Sequence, residues 1–480
     1  MLFLLRSPLS IVIALLAFQA ACSRPYESRR HSPKPNLPIP TKVNEDQKQT
    51  ADVSQLLTIN GDGPHYEYSD PCELALRNTL RTIVIQTPAG AEIPPDQELR
   101  GTLSMYERGQ PGQSNPGLVT DILIKLRGNS SRSFPKKQFA VESIGGNGKG
   151  IELPLLDPSC PAGQKWVLNG QYADKTLMRN YTALNLARRL NVYAPRSAFV
   201  SLYFMVDGKP TFHGLYVLTE RIEVSKERVN LQKPTAEDPS GGYLLRMDRV
   251  DPEKLALDGA TEVGLMVDNV KKDKLSPAQT SYIQEYHDRI REVLGQSMVV
   301  PEDSPLHHTH WIDTASFQSY LLLRELFRDV DTYYLSTYLT KDRGPNAKLK
   351  MGPVWDFDLA FGNANYGYNG ATEGWQFDFA DSQIALWMRN LMRDPKYAEQ
   401  TRSRWKGMRE GPFSDHNLSS FIHETLQHIA PEARENFVRW PILNELVWPN
   451  RQALGSHLAE VQDLHDWLIK RARWMDEALR

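Results

Sequence analysis

The spacing of apolar residues changes along this chain, and that change limits the folds open to it. Early on they alternate: Ile122, Ile124 and Leu126 share one face of a strand predicted over 121–126, and Lys137, Phe139 and Val141 alternate in the same way. Residues 82–85, 198–206, 213–218 and 243–247 read as further strands, with Asp207-Gly208 as a hairpin turn. Leu177, Tyr181, Leu184 and Ala187 have helical spacing and predict a helix over 175–190. Later the period is mostly helical. Asp313 is suited to cap a helix running to about Phe327, and Leu458, Val461, Leu464 and Leu468 line one face of a last helix. A β-rich N-terminal part followed by a mostly helical C-terminal part gives the class α+β.

The N-terminus has a different character. Arg6 precedes an apolar run from Ile11 to Phe18, and Gln19-Ala20-Ala21-Cys22 follows. The run is too short for a membrane span and reads as a signal peptide over 1–21. Small residues before a cysteine also resemble a lipoprotein box, so Cys22 is expected to carry a lipid that anchors the chain to a membrane. Ordinary cleavage near Ala21 is the other reading. Residues 22–68, opening on a Pro-, Ser-, Lys- and Arg-rich stretch, are expected to form a disordered tether. One domain then fills 69–480, with an N-terminal part at about 76–250 and a C-terminal part at about 251–480. In an oxidising compartment Cys72 and Cys160 can pair as a disulfide; two buried thiols is the alternative. The formal net charge of -2 provides no global basic field for nucleic acid, and none is expected as a partner.

The segment from Arg328 to Asn363 carries the chemistry. A helix ends and a loop presents Asp331. A strand leaves, turns at Arg343-Gly344-Pro345-Asn346, and a returning strand delivers Asp356 and Asp358. Two acidic groups far apart in sequence are thereby brought close in space. Phosphoryl transfer uses such a pair: one carboxylate orients the attacking hydroxyl and another holds Mg²⁺ (or Mn²⁺). Alternation would turn Asp356 and Asp358 to one face, and unpaired acids there are costly without a cation. Ser336 stands five positions after Asp331, where kinase catalytic loops have a metal-binding Asn. A second segment, Arg127-Gly128-Asn129-Ser130-Ser131-Arg132 then Phe134-Pro135-Lys136-Lys137, ends a strand with small residues whose N–H groups can approach phosphate. A lysine on the returning strand would reach the α- or β-phosphate; Glu220 either pairs with Lys136 or Lys137 or forms a surface ion pair worth little.

These segments, together with Trp166-Val167-Leu168, Asp174-Lys175, Met178-Arg179-Asn180, Gly214-Leu215-Tyr216, Gly242-Tyr243-Leu244-Leu245 and Gly352-Pro353-Val354-Trp355-Asp356-Phe357-Asp358, resemble the CotH family of spore-coat protein H-like atypical protein kinases. The resemblance implies a kinase-like two-lobed fold, ATP and Mg²⁺ as cofactors, and Ser/Thr phosphorylation of a protein substrate in the envelope or coat. Asp331 matches the family's catalytic acid and Asp356 its metal ligand, with Asp358 and Ser336 beside them. Arg127, Asn129, Ser130, Ser131, Lys136, Lys137 and Glu220 would serve the nucleotide. Two other functions compete: ATP-dependent transfer to a glycan or small molecule, and a non-catalytic coat or adhesion module. Arg179 suits either a phosphate or only its neighbour Asp174. His307, His308 and His310 lie in a loop marked by Pro301 and Pro305, match no zinc spacing and read as solvated. The aromatic run from Tyr366 to Phe379 reads as core packing or a loop anchor rather than a sugar- or peptide-binding lip.

Overall fold

The computed structural model describes residues 70–480 apart from 110, 112–114, 191 and 236, so the signal peptide and tether lie outside the described residues. Helix α1 (Pro71–Asn78) leads into β1 (Arg81–Gln86), β2 (Leu99–Tyr106), β3 (Leu118–Arg127), β4 (Gln138–Ile144) and β5 (Lys165–Asn169). After α2 (Arg179–Arg188), β6 (Ser197–Val206) and β7 (Lys209–Glu220) form a hairpin. Its turn residues Asp207 and Gly208 both have positive φ, 48° and 74°, the geometry that suits the right-handed twist of paired strands.

These seven strands close into a barrel in the order β1-β2-β3-β4-β5-β7-β6. Closure is made by β1 pairing in parallel with β6, Thr82 opposite Ser201 and Val84 opposite Tyr203. Ile83, Ile85, Ile122, Ile124, Phe139, Val141, Leu168, Val200 and Leu218 fill the interior, so the barrel is a packed core rather than a channel. Strands β6 and β7 are buried on both sides. Val200 and Leu218 point in, while Phe199 and Val217 point out onto the larger core with Tyr181 and Leu184 of α2.

The chain continues through β8 (Tyr243–Arg249), β9 (Leu255–Ala256), β10 (Val263–Val267), α3 (Pro277–Leu294), α4 (Thr314–Phe327), β11 (Thr337–Lys341) and β12 (Leu349–Met351). The helices α5 (Gln376–Phe379), α6 (Gln383–Leu391), α7 (Pro395–Glu410), α8 (Asp415–Arg439) and α9 (His457–Ala478) complete it. Asp313 caps α4 as expected, accepting from Ser316 N at 2.8 Å. No helix among the described residues is long and apolar enough to cross a membrane.

The expected kinase-like division into two lobes near residue 250 is not what the chain builds, although α+β holds. The N-terminal part is a closed barrel. A second sheet, ordered β12-β11-β8-β10-β9, draws strands from both sides of the expected boundary: Met247 lies opposite Thr337 and Leu245 opposite Leu339. One apolar core then runs from Leu80 to Leu479. Backbone pairing between β8 and β11 welds the two parts, where a cleft between lobes would leave them separate.

Cys72 and Cys160 form a disulfide across 88 residues, tying α1 to the loop beneath the barrel floor beside Leu76, Leu155 and Leu156. Joining residues so far apart removes much of the freedom of the unfolded chain. Cys72→Ser should therefore lower stability by roughly 2–5 kcal/mol, seen as a lower urea midpoint with a slope no smaller than the wild type's, because the unlinked unfolded chain exposes more surface. An unchanged midpoint would mean the bridge contributes nothing beyond its neighbours' packing.

Candidate active site

Helix α4 stops at Arg328, whose left-handed backbone (φ 46°) turns the chain out while its N–H still caps Arg324 O. The next residues coil tightly. Asp329 Oδ1 accepts the N–H of Asp331 at 2.8 Å, and Asp331 O accepts from Tyr334 N and Leu335 N. Asp329 is thereby buried and Asp331 half-buried above it. Asp329 holds the loop and Asp331 faces outward.

Asp356 arrives differently from the reading above. The returning strand β12 ends at Met351, and residues 352–357 are irregular. Hydrogen bonds from Val354 N to Tyr193 O and from Phe357 N to Asn180 Oδ1 fix this segment. Asp356 itself sits at φ 66°, so strand alternation does not orient it with Asp358. The juxtaposition is nonetheless made. Ser336 Oγ donates to Asp356 Oδ2 at 3.4 Å, and Ser336 also has positive φ, 49°. Arg328, Tyr333, Ser336, Asp356 and Phe361 are all non-glycine residues in the left-handed region. Each such residue costs on the order of 1 kcal/mol or more, strain that persists only where packing over-determines it.

Five carboxylates share the cleft: Asp248, Asp329, Asp331, Asp356 and Asp358. Asp248 lies at the end of β8, next to Ser336 at the start of β11 by extension of the strand register. Burial raises the pKa of Asp331, reinforced by Asp356 and Asp248 and opposed by Arg324 and Arg249. Burial also raises Asp329, with Asp331 next in effect. Asp358 is pushed well up by burial, then by Asp356, Asp329, Asp174 and Asp331. Asp356 is raised by burial and pulled back by Arg127. Asp356 remains accessible to solvent among these acids. Among the described residues none donates a hydrogen bond to the carboxylate of Asp331 or Asp358.

Arginines frame the acids. Arg324 is wholly buried in α4, its guanidinium 4.8 Å from the Phe357 ring centroid, with Nε and Nη2 unpartnered. Arg127, at the end of β3, stacks over Trp355 at 5.5 Å and donates to Asn169 Oδ1 at 3.2 Å. Turning the Asn129 amide so that its oxygen faces Arg249 would let it accept from Nε at 3.2 Å and tie the 128–133 loop to the rim. That loop is tight: a Cβ on Gly128 (φ 98°) would lie 2.0 Å from Ser131 Oγ. Ser130 and Ser131 form a short 3-10 turn on the accessible side.

The remaining expectations fare differently. Lys136 is wholly buried and donates to Leu215 O and Asn436 Oδ1, both at 2.7 Å, over the Tyr216 ring. Its donors are spent joining the barrel to α8. Lys137 donates to Arg132 O at 2.6 Å and steadies the loop. Glu220 pairs with Arg196 at 3.0 Å and lies 4.0 Å from Arg228, instead of meeting either lysine, because the register sets it level with Trp166 and Val141, several residues along from Lys137. Arg179 is fully buried and donates to Asp174 Oδ1 at 2.7 Å. Tyr366 is 42% exposed, its ring parallel to that of Trp448 at 6.2 Å, and it lies within electrostatic reach of Asp331. Part of the aromatic run therefore stands at the cleft mouth, while Phe377 is core.

Sequence reading missed Asp329, Arg324 and Arg249, and it noted Asp248 only at the end of the Gly242-Tyr243-Leu244-Leu245 match, without a site role. The Asp-Val-Asp repeat at 329–331 was a visible signal for the first. Nothing local marks Arg324, which lies in a helix buried all round from Phe317 on.

A Ser419–His465–Asp466 array also has the connectivity of a hydrolytic triad, at 2.9 and 2.8 Å. Ser419 is 0% exposed between α8 and α9, where no substrate reaches it.

A family described as CotH kinase protein matches residues 124–475, a span that holds every residue of the cleft. No curated protein matches the chain.

Like charges crowded together destabilise a fold until a cation joins them. In a chelator, Asp358→Asn should be more heat-stable than the wild type, by roughly 2 °C, about the shift expected for a fraction of 1 kcal/mol to 1 kcal/mol in a large domain. Adding Mn²⁺ or Mg²⁺ should raise the wild-type melting temperature by mass action and the variant's much less. A variant less stable than the wild type in chelator would overturn this account of the cleft.

Proposed function

This chain belongs to the CotH kinase protein family, and we propose that it is an exported phosphotransferase that uses ATP and a divalent cation to phosphorylate Ser or Thr of an envelope or coat protein. The observation that carries the reading is the half-buried Asp331, looped onto Asp329 and within electrostatic reach of Asp356, which Ser336 contacts.

The donor set fits a hard cation. Asp356 and Asp358 offer carboxylate oxygens, Ser336 adds a hydroxyl, and no sulfur or imidazole stands among them. When bound, Mg²⁺ supplies neutralisation of charge on the transferred phosphate and its leaving group. The chain's own groups do the rest. Asp331 accepts the acceptor's hydroxyl proton and aims its oxygen. Arg127 and Arg249 add positive charge around the phosphates, and the backbone of the 128–131 loop lies open beside them. Tyr366 and Trp448 at the mouth give an acceptor segment something flat to rest on.

Export is supported by the N-terminal segment and by the Cys72–Cys160 disulfide, a bond that persists in oxidising compartments. Cys22→Ala should move the protein from the detergent phase to the aqueous phase on Triton partition. A wild type found wholly aqueous removes the lipid anchor from the proposal.

The two acids should fail in different ways. Asp331→Asn should slow phosphate transfer by at least roughly 100-fold, the scale of general-base catalysis, with Mg·ATP affinity within a few fold of wild type. Asp356→Asn should weaken metal-dependent ATP binding as well as turnover. Calorimetry with and without metal, and labelled-phosphate incorporation into envelope extract, measure both. Wild-type turnover in both variants would overturn the site assignment. A wild type that binds no nucleotide would favour a non-catalytic module.

A further inference from the structure

The loop between α3 and α4 holds a second cluster, remote from the acidic cleft. After Pro301 and Pro305 the chain curls: His307 N donates to Ser304 O, and His310 N to His307 O. Trp311 Nε1 donates to Pro305 O at 2.8 Å, and Ile312 bridges to Leu349. The loop is thus folded onto the protein. His307 is 3% exposed and His308 is half-buried, where the sequence suggested solvated side chains.

The carboxylate facing them comes from far along the chain. Asp394 caps α7, its Oδ1 accepting from Lys396 N at 2.8 Å and Tyr397 N at 3.2 Å. Its Oδ2 is left over. It lies 3.7 Å from His307 Nε2 and 3.8 Å from His308 Nδ1. Those separations are too long for hydrogen bonds. They are close to the ligand–ligand edge of a coordination tetrahedron, which for metal–ligand bonds of about 2.0–2.2 Å is roughly 3.4 Å. All three donor atoms lie within 4.8 Å of one another. The other nitrogen of His307, Nδ1, is 2.7 Å from Thr309 Oγ1. An N–H donated there leaves the lone pair on Nε2, aimed at the gap, which is how metal-binding imidazoles are oriented.

We propose that His307 Nε2, His308 Nδ1 and Asp394 Oδ2 bind a transition-metal ion of the Zn²⁺ class. Two imidazoles and one carboxylate select such ions over Mg²⁺ or Ca²⁺, which prefer all-oxygen sites. A fourth ligand has room. His308 and Asp394 line a cavity of about 30 Å³ with Leu306, Asn390 and Leu294, enough for a water molecule. The ion would pin the 301–312 loop to the first turn of α7, joining segments that no strand pairing connects.

The test is calorimetric titration of Zn²⁺ into chelator-stripped full-length protein, with excess Mg²⁺ present to occupy the acidic cleft. One equivalent should bind the wild type. His307→Gln, His308→Gln and Asp394→Asn should each weaken it at least about 10-fold, and Asp356→Asn should leave it unchanged. Asp394→Asn keeps an oxygen for the helix cap. His308, the more exposed histidine, carries the test if His307→Gln does not fold. Co²⁺ in place of Zn²⁺ should give the intense visible absorption of a four-coordinate ion in the wild type and lose it in His308→Gln. Equal Zn²⁺ affinity in wild type and His308→Gln, or no Zn²⁺ binding by the wild type under Mg²⁺, overturns the site.

Discussion

Mutual repulsion among five aspartates is the constraint on which the rest of this structure depends. Left to itself a chain would keep Asp248, Asp329, Asp331, Asp356 and Asp358 apart and hydrated. Here they are held together by elements that have no freedom to yield. The C-terminus of α4 fixes Asp329 and Asp331, the welded sheet fixes Asp248 and Ser336, and Asn180 and Tyr193 fix the segment carrying Asp356. Arg324 and Arg127 offset part of the repulsion from below and beside. The left-handed residues around the cleft are the backbone's share of the same compromise. Stability lost locally is what a bound cation would return.

The barrel contributes through rigidity at one point. Strand β3 delivers Arg127 from a wall that is closed, so its position does not drift as an open edge would. Lys136 braces the same wall against α8 from the inside. The barrel is thus a mount for one arginine and one tight loop, and the helical part is a mount for the acids. The sheet shared by both keeps the two in register.

What could be read in advance was local. Alternation marked β3 and β4, Asp-Gly marked the β6–β7 turn, and Asp313 marked the start of α4. Asp331 and Asp356 stood out because a helix end and a hairpin turn bracket them. Relations between distant segments left no such trace. The parallel β1–β6 pairing that closes the barrel, and the β8–β11 pairing that removes the expected lobe boundary, depend on partners more than seventy residues apart in sequence terms. Glu220 was assigned a lysine because kinases use one, and only the register of β7 against β5 shows that it turns to Arg196. Asp394 could not have been matched to His307 from spacing, since a helix cap is sufficient reason for an aspartate there.

The welded sheet also sets an order of events. A barrel whose first strand must wait for its sixth, and a sheet whose central strand must wait for a partner beyond α4, give a chain rich in distant contacts, and such topologies fold slowly. During synthesis the barrel's strands are all available well before the helices that carry the acids. The charged cleft is therefore assembled last, on a scaffold already able to stand. Under the proposed export, a chain crossing the membrane unfolded would meet that repulsive step only on the far side.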